Sequence, residues 1–221
     1  MRFAAVVAAA GRSLRFGSVK KEYELLDGVP VVLHSVRLFL ENNDCAAIAL
    51  VIPPDGEPEA RAALGEALVT RWGPRLLFVE GGQDRGDSIK AGLLALRSVD
   101  PELVLVHDAA RPYASKELLR RVLDGASRFG ACVPGFPVSD TIKRISDDGV
   151  VSEHLVRASL RAVQTPQGFQ YRGLLSAYLS AGTSAGSATD DSDVWAKAGG
   201  AVVVIDGERS NRKITYPEDL P

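Results

Sequence analysis

The chain has 221 residues, 46% of them hydrophobic, and a formal net charge of −2. That length and composition are enough for a full core and predict one α/β domain over 1–221 with a small excursion, while the near-neutral charge argues against a non-specific nucleic-acid binder, so that any basic patch must be local. Cys45 and Cys132 lie far apart and fit a reducing cytoplasm better than a disulfide framework or a metal cluster; with no signal pattern and no apolar run long enough to span a bilayer, the chain reads as soluble and cytoplasmic.

The apolar run Phe3–Ala8 reads as a buried strand, and it opens directly onto Ala9, Ala10, Gly11 and then the cations Arg12, Arg15, Lys20 and Lys21. Small residues let backbone N–H groups approach an anion, and the cations would bind phosphate oxygens, arginine as a fork and lysine as a point charge. The spacing matches neither a Walker A loop nor a dinucleotide fingerprint, since Gly17 is followed by Ser18, and Ser13 and Phe16 stand where glycines belong. The closing glycine of a nucleophile elbow is absent too. A plain basic loop after an edge strand remains the other reading.

Pro30 starts a helix that runs to about Asn42, and Ala47–Ile52 forms a second strand closed by Pro53-Pro54. A helix over Glu59–Val69, a strand over Leu76–Val79, a helix over Ser88–Leu96 and a strand over Leu103–Val106 follow. This alternation predicts a mostly parallel sheet with helices on both faces, whose ligands bind beyond the strands' C-terminal ends: at the Gly11 loop, Pro53-Pro54, Gly81-Gly82 and His107-Asp108. In Gly81–Ser88, Asp87 or Ser88 caps the helix, and backbone groups with the Ser88 hydroxyl could face a base or ribose; an ordinary capped glycine turn explains the same residues. Asp108 follows its strand where Mg²⁺ or a ribose hydroxyl would be met, or it caps a turn with Arg111 as its salt-bridge partner. His107 reads as structural.

A helix over Ser115–Arg128 precedes a strand, Ala131–Val133, that ends at Pro134. Thr141–Ile145 and Val150–Leu155 then flank Asp147-Asp148-Gly149, a hairpin signal. Such an arm, at about 137–158, is marginal alone and would pack on a partner or fold back on its own domain. Arg157–Phe169 is extended, Gly182–Ser187 is a small-residue loop, Thr189 caps a helix over Asp191–Ala198, Ala201–Ile205 is the last strand, and Asn211–Thr215 is a short extended segment. None of His34, His107 and His154 has a nucleophile or elbow beside it. Arg15, Lys20, Lys21, Arg111, Arg157 and Lys213 dominate instead, a balance that suits phosphoryl or nucleotidyl transfer, where catalysis is mostly positioning and charge stabilisation. A phosphate monoester as attacking group has a second pKa of about 6 and needs no general base.

Seven blocks carry a resemblance in order along the chain: Ala9-Ala10-Gly11 with Arg15 and Lys21, Gly81-Gly82 with Arg85 and Ser88, Val106–Pro112, Asp140–Arg144, Gln164–Phe169, Thr189–Asp191 and Asn211–Leu220. Together they resemble the 2-C-methyl-D-erythritol 4-phosphate cytidylyltransferase family. The resemblance implies a Rossmann-like nucleotidyltransferase fold, a homodimer joined through the arm, and Mg²⁺-dependent transfer of CMP from CTP to methylerythritol phosphate in isoprenoid precursor synthesis. It implies that Arg15, Lys21 and Lys213 are catalytic, the first two stabilising charge at the α-phosphate. Ala9, Ala10, Gly11, Gly82 and Ser88 would cradle CTP, with Asp108 and Ala109 near the ribose and Asp108 near the metal. Arg111, Thr141, Arg157, Thr165 and Thr189 would position the polyol phosphate, with Lys213 beside them, and Arg111 and Thr141 would be offered across the dimer.

The chain departs from the family at Ser13, at Gln83 and at Lys20-Lys21, where Lys21 is the match and Lys20 the alternate; a final helix would run on beyond Pro221. A ribitol-5-phosphate cytidylyltransferase and a non-catalytic nucleotide-binding regulator are the competing readings.

Overall fold

A computed structural model describes residues 2–11, 13, 16, 17 and 20–220. In chain order it contains β1 (Phe3–Ala8), β2 (Leu25–Leu26), β3 (Val29–Pro30), α1 (Val31–Leu40), β4 (Cys45–Ile52), α2 (Glu57–Leu64), α3 (Glu66–Trp72), β5 (Leu76–Glu80), α4 (Arg85–Ala95) and β6 (Leu103–Asp108). There follow α5 (Lys116–Phe129), β7 (Ala131–Pro137), β8 (Lys143–Ile145), β9 (Val151–His154), β10 (Arg161–Val163), β11 (Gln167–Gln170), α6 (Tyr171–Ala181), α7 (Asp191–Lys197) and β12 (Val203–Asp206).

The main sheet runs β10-β7-β11-β6-β1-β4-β5, with β12 paired to β7. Strands β6, β1, β4 and β5 are parallel, β12 is parallel to β7, and β11 and β10 are antiparallel to their neighbours. The sheet is thus mostly parallel, as its apolar runs predict. Successive side chains point to opposite faces, so each parallel strand feeds two cores. Phe3, Ala5 and Val7 join Ile48, Leu50 and Leu105 under α1 and α5, while Ala4 and Val6 join Ala49, Val51 and Val104 under α4 and α6. All four C-terminal strand ends, at Ala8, Ile52, Glu80 and Asp108, fall on one edge, as parallel register requires.

Several boundaries differ from the sequence expectation. The helix expected over Glu59–Val69 is two helices, because Gly65 sits at φ 82°, a left-handed conformation that glycine adopts without a Cβ clash. Helix α4 starts earlier than Ser88: Asp84 is its cap, extended at φ −129°, with its Oδ1 accepting the Asp87 N–H at 2.8 Å, which leaves Asp87 inside the first turn. Helix α7 is capped by Asp190 rather than Thr189, since Asp190 Oδ1 accepts the Asp193 N–H at 3.0 Å. Strand β7 does not stop at Pro134. The proline lacks only a donor, and its carbonyl still accepts the Gln164 N–H at 2.8 Å. Strand β12 begins at Val203 rather than Ala201, and Asn211–Thr215 is irregular backbone.

The expected hairpin is present as a two-stranded sheet of its own, β8 with β9, exposed along its whole length. Its rungs pair Lys143 with His154 and Arg144 with Glu153, the latter joined by a 2.8 Å ion pair. Ile145, Val150, Val151 and Val156 stand exposed on or beside it.

Candidate functional site

The strand ends open into a cleft of about 1030 Å³. Its walls include Ala10 and Gly11 after β1, Pro53 and Pro54 after β4, Gly81, Gly82 and Ser88 after β5, and Asp108 and Ala110 at the end of β6. Each of the four strand-end positions expected to meet a ligand therefore contributes to one concavity. Lys20, Lys21, Arg85, Lys213 and Thr215 line it as well.

The anion loop and the C-terminal segment meet at the lysines. Lys21 is 9% exposed, and its Nζ donates to the Ile214 carbonyl at 2.9 Å. Ile214 is buried with Leu26 and Val31, and its N–H donates to Ala110 O at 2.8 Å, so this irregular segment is held by packing as well as by hydrogen bonds. Next to it Lys213 Nζ donates to Asp108 Oδ2 at 2.7 Å. Two residues upstream, Asn211 is fully buried: its carbonyl accepts from Arg111 Nη1 at 2.8 Å and from Gln164 Nε2 at 2.9 Å, and its Nδ2 donates to Thr165 O at 2.8 Å. A segment without secondary structure thereby presents a lysine with fixed geometry.

Burial pushes the Asp108 carboxyl upward, but Lys213, Arg85 and Arg111 outweigh it and hold the group well below the usual carboxylate range. Asp108 is therefore an anion ringed by cations. Glu22, which also lines the cleft, is raised by burial despite Lys21 and the Ser13 hydroxyl, which donates to its Oε2 at 3.1 Å. His107 has no exposure, and burial pulls it down to about 4, so it stays neutral near pH 7. Its ring contacts Arg111 O at 3.2 Å and Thr165 Oγ1 at 3.1 Å, the structural role expected of it.

Ala10, Gly11, Gly82, Ser88, Asp108, Lys21 and Lys213 line the cleft. Ala9 and Ala109 are buried and are not part of the lining. The Gly82 N–H donates to Ser88 Oγ at 3.1 Å and the hydroxyl donates to Asp84 O at 2.8 Å, so the turn and the helix start are one unit. Thr165 is buried, with its Oγ1 accepting the Asp108 N–H at 3.0 Å. Arg111 is engaged within its own chain, on Asn211 O and 3.9 Å from Asp108 Oδ2. Thr141 is exposed beside the arm, and Thr189 lies just before α7, outside the lining. Arg157 borders a separate groove of about 580 Å³ with Val138, Ser139 and Arg161, its Nη1 donating to Ser139 O at 2.7 Å. Arg15 and Arg12 lie outside the described residues. Two cleft features had no separate signal in the sequence: Glu22, which comes after the lysines without any periodicity, and Thr215, whose place depends on a fold-back from the far end of the chain.

Among the described residues no group of three or more His, Cys, Asp or Glu could cage a metal. Of the carboxylates that line the cleft, Glu22, Asp84 and Asp108, the one at a strand end is Asp108. That suits Mg²⁺, which is commonly held by one or two carboxylates together with substrate phosphates and water.

The model of the 2-C-methyl-D-erythritol 4-phosphate cytidylyltransferase family matches residues 3–221. A protein of that name from Bacillus mycoides is 38% identical over 97% of this chain and 93% of its own length. A bifunctional enzyme IspD/IspF from Rhodospirillum rubrum is 39% identical over 99% of this chain, which spans 55% of that larger protein. Among solved structures, the cytidylyltransferase of Thermus thermophilus aligns with a TM-score of 0.79 at 32% identity, covering 100% of this chain and 96% of that one. The 4-diphosphocytidyl-2C-methyl-D-erythritol synthase of Anaerococcus prevotii aligns with a TM-score of 0.84 at 28% identity, covering 99% of this chain and 92% of that one.

Proposed function

This chain belongs to the 2-C-methyl-D-erythritol 4-phosphate cytidylyltransferase family, and from that premise we propose how its own residues carry out the reaction it catalyses, transfer of CMP from CTP to 2-C-methyl-D-erythritol 4-phosphate with release of pyrophosphate. The observation that carries the proposal is the juxtaposition, in one cleft at the strand ends, of Lys21 and Lys213 with Asp108. CTP lies along Ala10, Gly11, Gly82 and Ser88 with its ribose towards Asp108. A phosphate oxygen of the polyol forms the new bond to the α-phosphorus of CTP, and the bond from that phosphorus to the β-phosphate oxygen breaks.

The attacking phosphate is already largely dianionic at neutral pH, with a second pKa of about 6, so no side chain has to remove a proton. What the site must supply is charge where charge builds up, and Lys21, Lys213 and Arg15 are cations of the right kind for it. Lys21 arrives pre-set by its bond to Ile214 O, which spares the cost of ordering a long side chain in the transition state. Mg²⁺ bound by Asp108 and phosphate oxygens would neutralise part of the triphosphate charge. The carboxylate is ionised across the neutral range, and because its Oδ2 accepts from Lys213 at 2.7 Å, a metal there would share the group with that lysine.

The active form we infer is a homodimer. Exposed Ile145, Val150, Val151 and Val156 on and beside an isolated two-stranded arm favour a partner, because such a hairpin is marginal in water by itself. Arg157 and Thr141 lie outside the cleft of their own chain, which fits delivery to the polyol phosphate in a second copy. Buried, unpaired Cys45 and Cys132 fit a reducing cytoplasm, and among the described residues no helix is long and apolar enough to cross a membrane. Titrating Mg²⁺ against pyrophosphate release tests the metal assignment. The wild type should be silent in a chelator, and Asp108→Asn should require far more Mg²⁺; full activity in the chelator would remove the metal from the account.

A further inference from the structure

Asp191, the first residue of α7, has no exposure to solvent. Its Oδ2 accepts from Arg85 Nη2 at 2.6 Å, and its Oδ1 accepts from Arg85 Nη1 at 3.2 Å and from the Tyr178 hydroxyl at 2.6 Å. A carboxylate this far from water is tolerated only when its lone pairs are satisfied, and even then an apolar replacement is often as stable. Stability is therefore a poor reason for the pair. Arg85, the other half, is the first residue of α4 and lines the nucleotide cleft. Burial pulls its guanidinium down, but Asp191 overrides this and Asp108 adds to it, so the charge is fixed and lies within electrostatic reach of the strand end of β6.

The elements at the two ends of this pair are the ones that must be in register for transfer. On one side the turn Gly81–Asp84 leads into Arg85, with Ser88 one turn further on. On the other, Thr189 precedes α7, its N–H donating to Asp193 Oδ2 at 3.1 Å, and Asp190 accepts from Gln167 Nε2 at 2.8 Å. Backbone contact reinforces the junction: a Cβ on Gly86 would lie 2.6 Å from Ala185 O, so only glycine admits so close an approach.

We infer that Asp191 is a positioning residue for cytidylyl transfer, acting through Arg85: the ion pair locks the Gly81–Ser88 wall of the CTP cleft to the segment that carries Thr189. The inference rests on reading the cleft as the CTP site. A planar guanidinium gripped at two nitrogens fixes direction as well as distance, which an ammonium in its place would not. The wall that CTP meets is thereby formed before the nucleotide arrives.

The test compares Asp191→Asn and Arg85→Lys with Tyr171→Phe, which loses a buried hydrogen bond from α6 to the same α4, Tyr171 OH to Leu93 O at 2.9 Å, without touching Arg85. CTP binding is read by titration calorimetry with Mg²⁺, and kinetic constants by pyrophosphate release, at a temperature where all the proteins are folded. The dissociation constant for CTP should rise about tenfold or more in Asp191→Asn and Arg85→Lys, with no further rise in the double variant, while kcat falls less than about threefold and Tyr171→Phe stays within about twofold of wild type. Should Asp191→Asn not fold, Arg85→Lys decides alone. Unchanged CTP binding in the folded variants, with only a lower melting temperature, would make the pair structural and overturn the inference. Failure of the wild type to bind CTP would overturn the reading of the cleft itself.

Discussion

Replacing Lys21 with alanine separates the two things its ammonium does. Its Nζ is held at 2.9 Å from the Ile214 carbonyl, and that carbonyl belongs to a residue with no solvent exposure. Losing the donor leaves a buried acceptor with one partner fewer, a cost of about 1–3 kcal/mol. In a chain of this size that corresponds to a fall in melting temperature of roughly 2–12 °C. The effect on chemistry is larger: withdrawing one charge-stabilising group from the reacting centre typically costs about 10²–10³-fold in turnover. Pyrophosphate release at saturating CTP and polyol phosphate, measured at about 25 °C, should therefore show kcat down by about two to three orders of magnitude, with CTP affinity changed by only a few fold. Lys21→Met, which keeps the apolar stem, should lose as much turnover and less stability. A Lys21→Ala protein with near-normal kcat would show that the Lys21 charge does not act on the transition state, and if Lys20→Ala lost turnover instead, the neighbouring lysine would be the catalytic one.

Arg157→Ala should raise KM for methylerythritol phosphate while leaving CTP affinity near normal, because Arg157 borders the groove beside Ser139 and not the cleft; the reverse split in steady-state kinetics would move it to the nucleotide. His107 is neutral in the folded protein and pulled by burial from 6.5 to about 4, so the unfolded chain binds the extra proton: stability should be intact above about pH 6.5 and decline by up to about 3 kcal/mol as pH falls towards 4, a slope that urea unfolding of His107→Gln should lack. Ile145→Asp in the exposed arm should shift sedimentation equilibrium towards monomer with little change in the unfolding of the main sheet; an unchanged mass would detach the arm from assembly.

Much of the sheet was legible because parallel strands buried on both faces are written as unbroken apolar runs, as in Phe3–Ala8, Ala47–Ile52 and Leu103–Val106, the structure extending the last two to Cys45–Ile52 and Leu103–Asp108. The four corners of the cleft were legible for the same reason, since each is simply the turn at the end of such a run. Caps were less so. Asp84, Asp87 and Ser88 all have capping chemistry, and only the extended backbone at Asp84 separates the cap from its neighbours. Around Thr189, Asp190 and Asp191 the difficulty is the same, and there one acid caps the helix while the next is buried on an arginine 106 residues away. No local pattern encodes a contact at that separation. Lys213 on Asp108, 105 residues apart, is equally invisible to periodicity, and it came within view only through the ordered set of motifs. The division between cleft and arm groove, which sets Arg157 apart from Lys21, is a property of the packed chain alone.

Pyrophosphate release in the presence of Mg²⁺, with the four ribonucleoside triphosphates crossed against 2-C-methyl-D-erythritol 4-phosphate and ribitol 5-phosphate, decides which reaction the cleft supports. Release is expected with CTP and methylerythritol phosphate, with near-silence in every other combination. A preference for ribitol 5-phosphate, or no release with any pair while CTP still binds, would contradict that expectation.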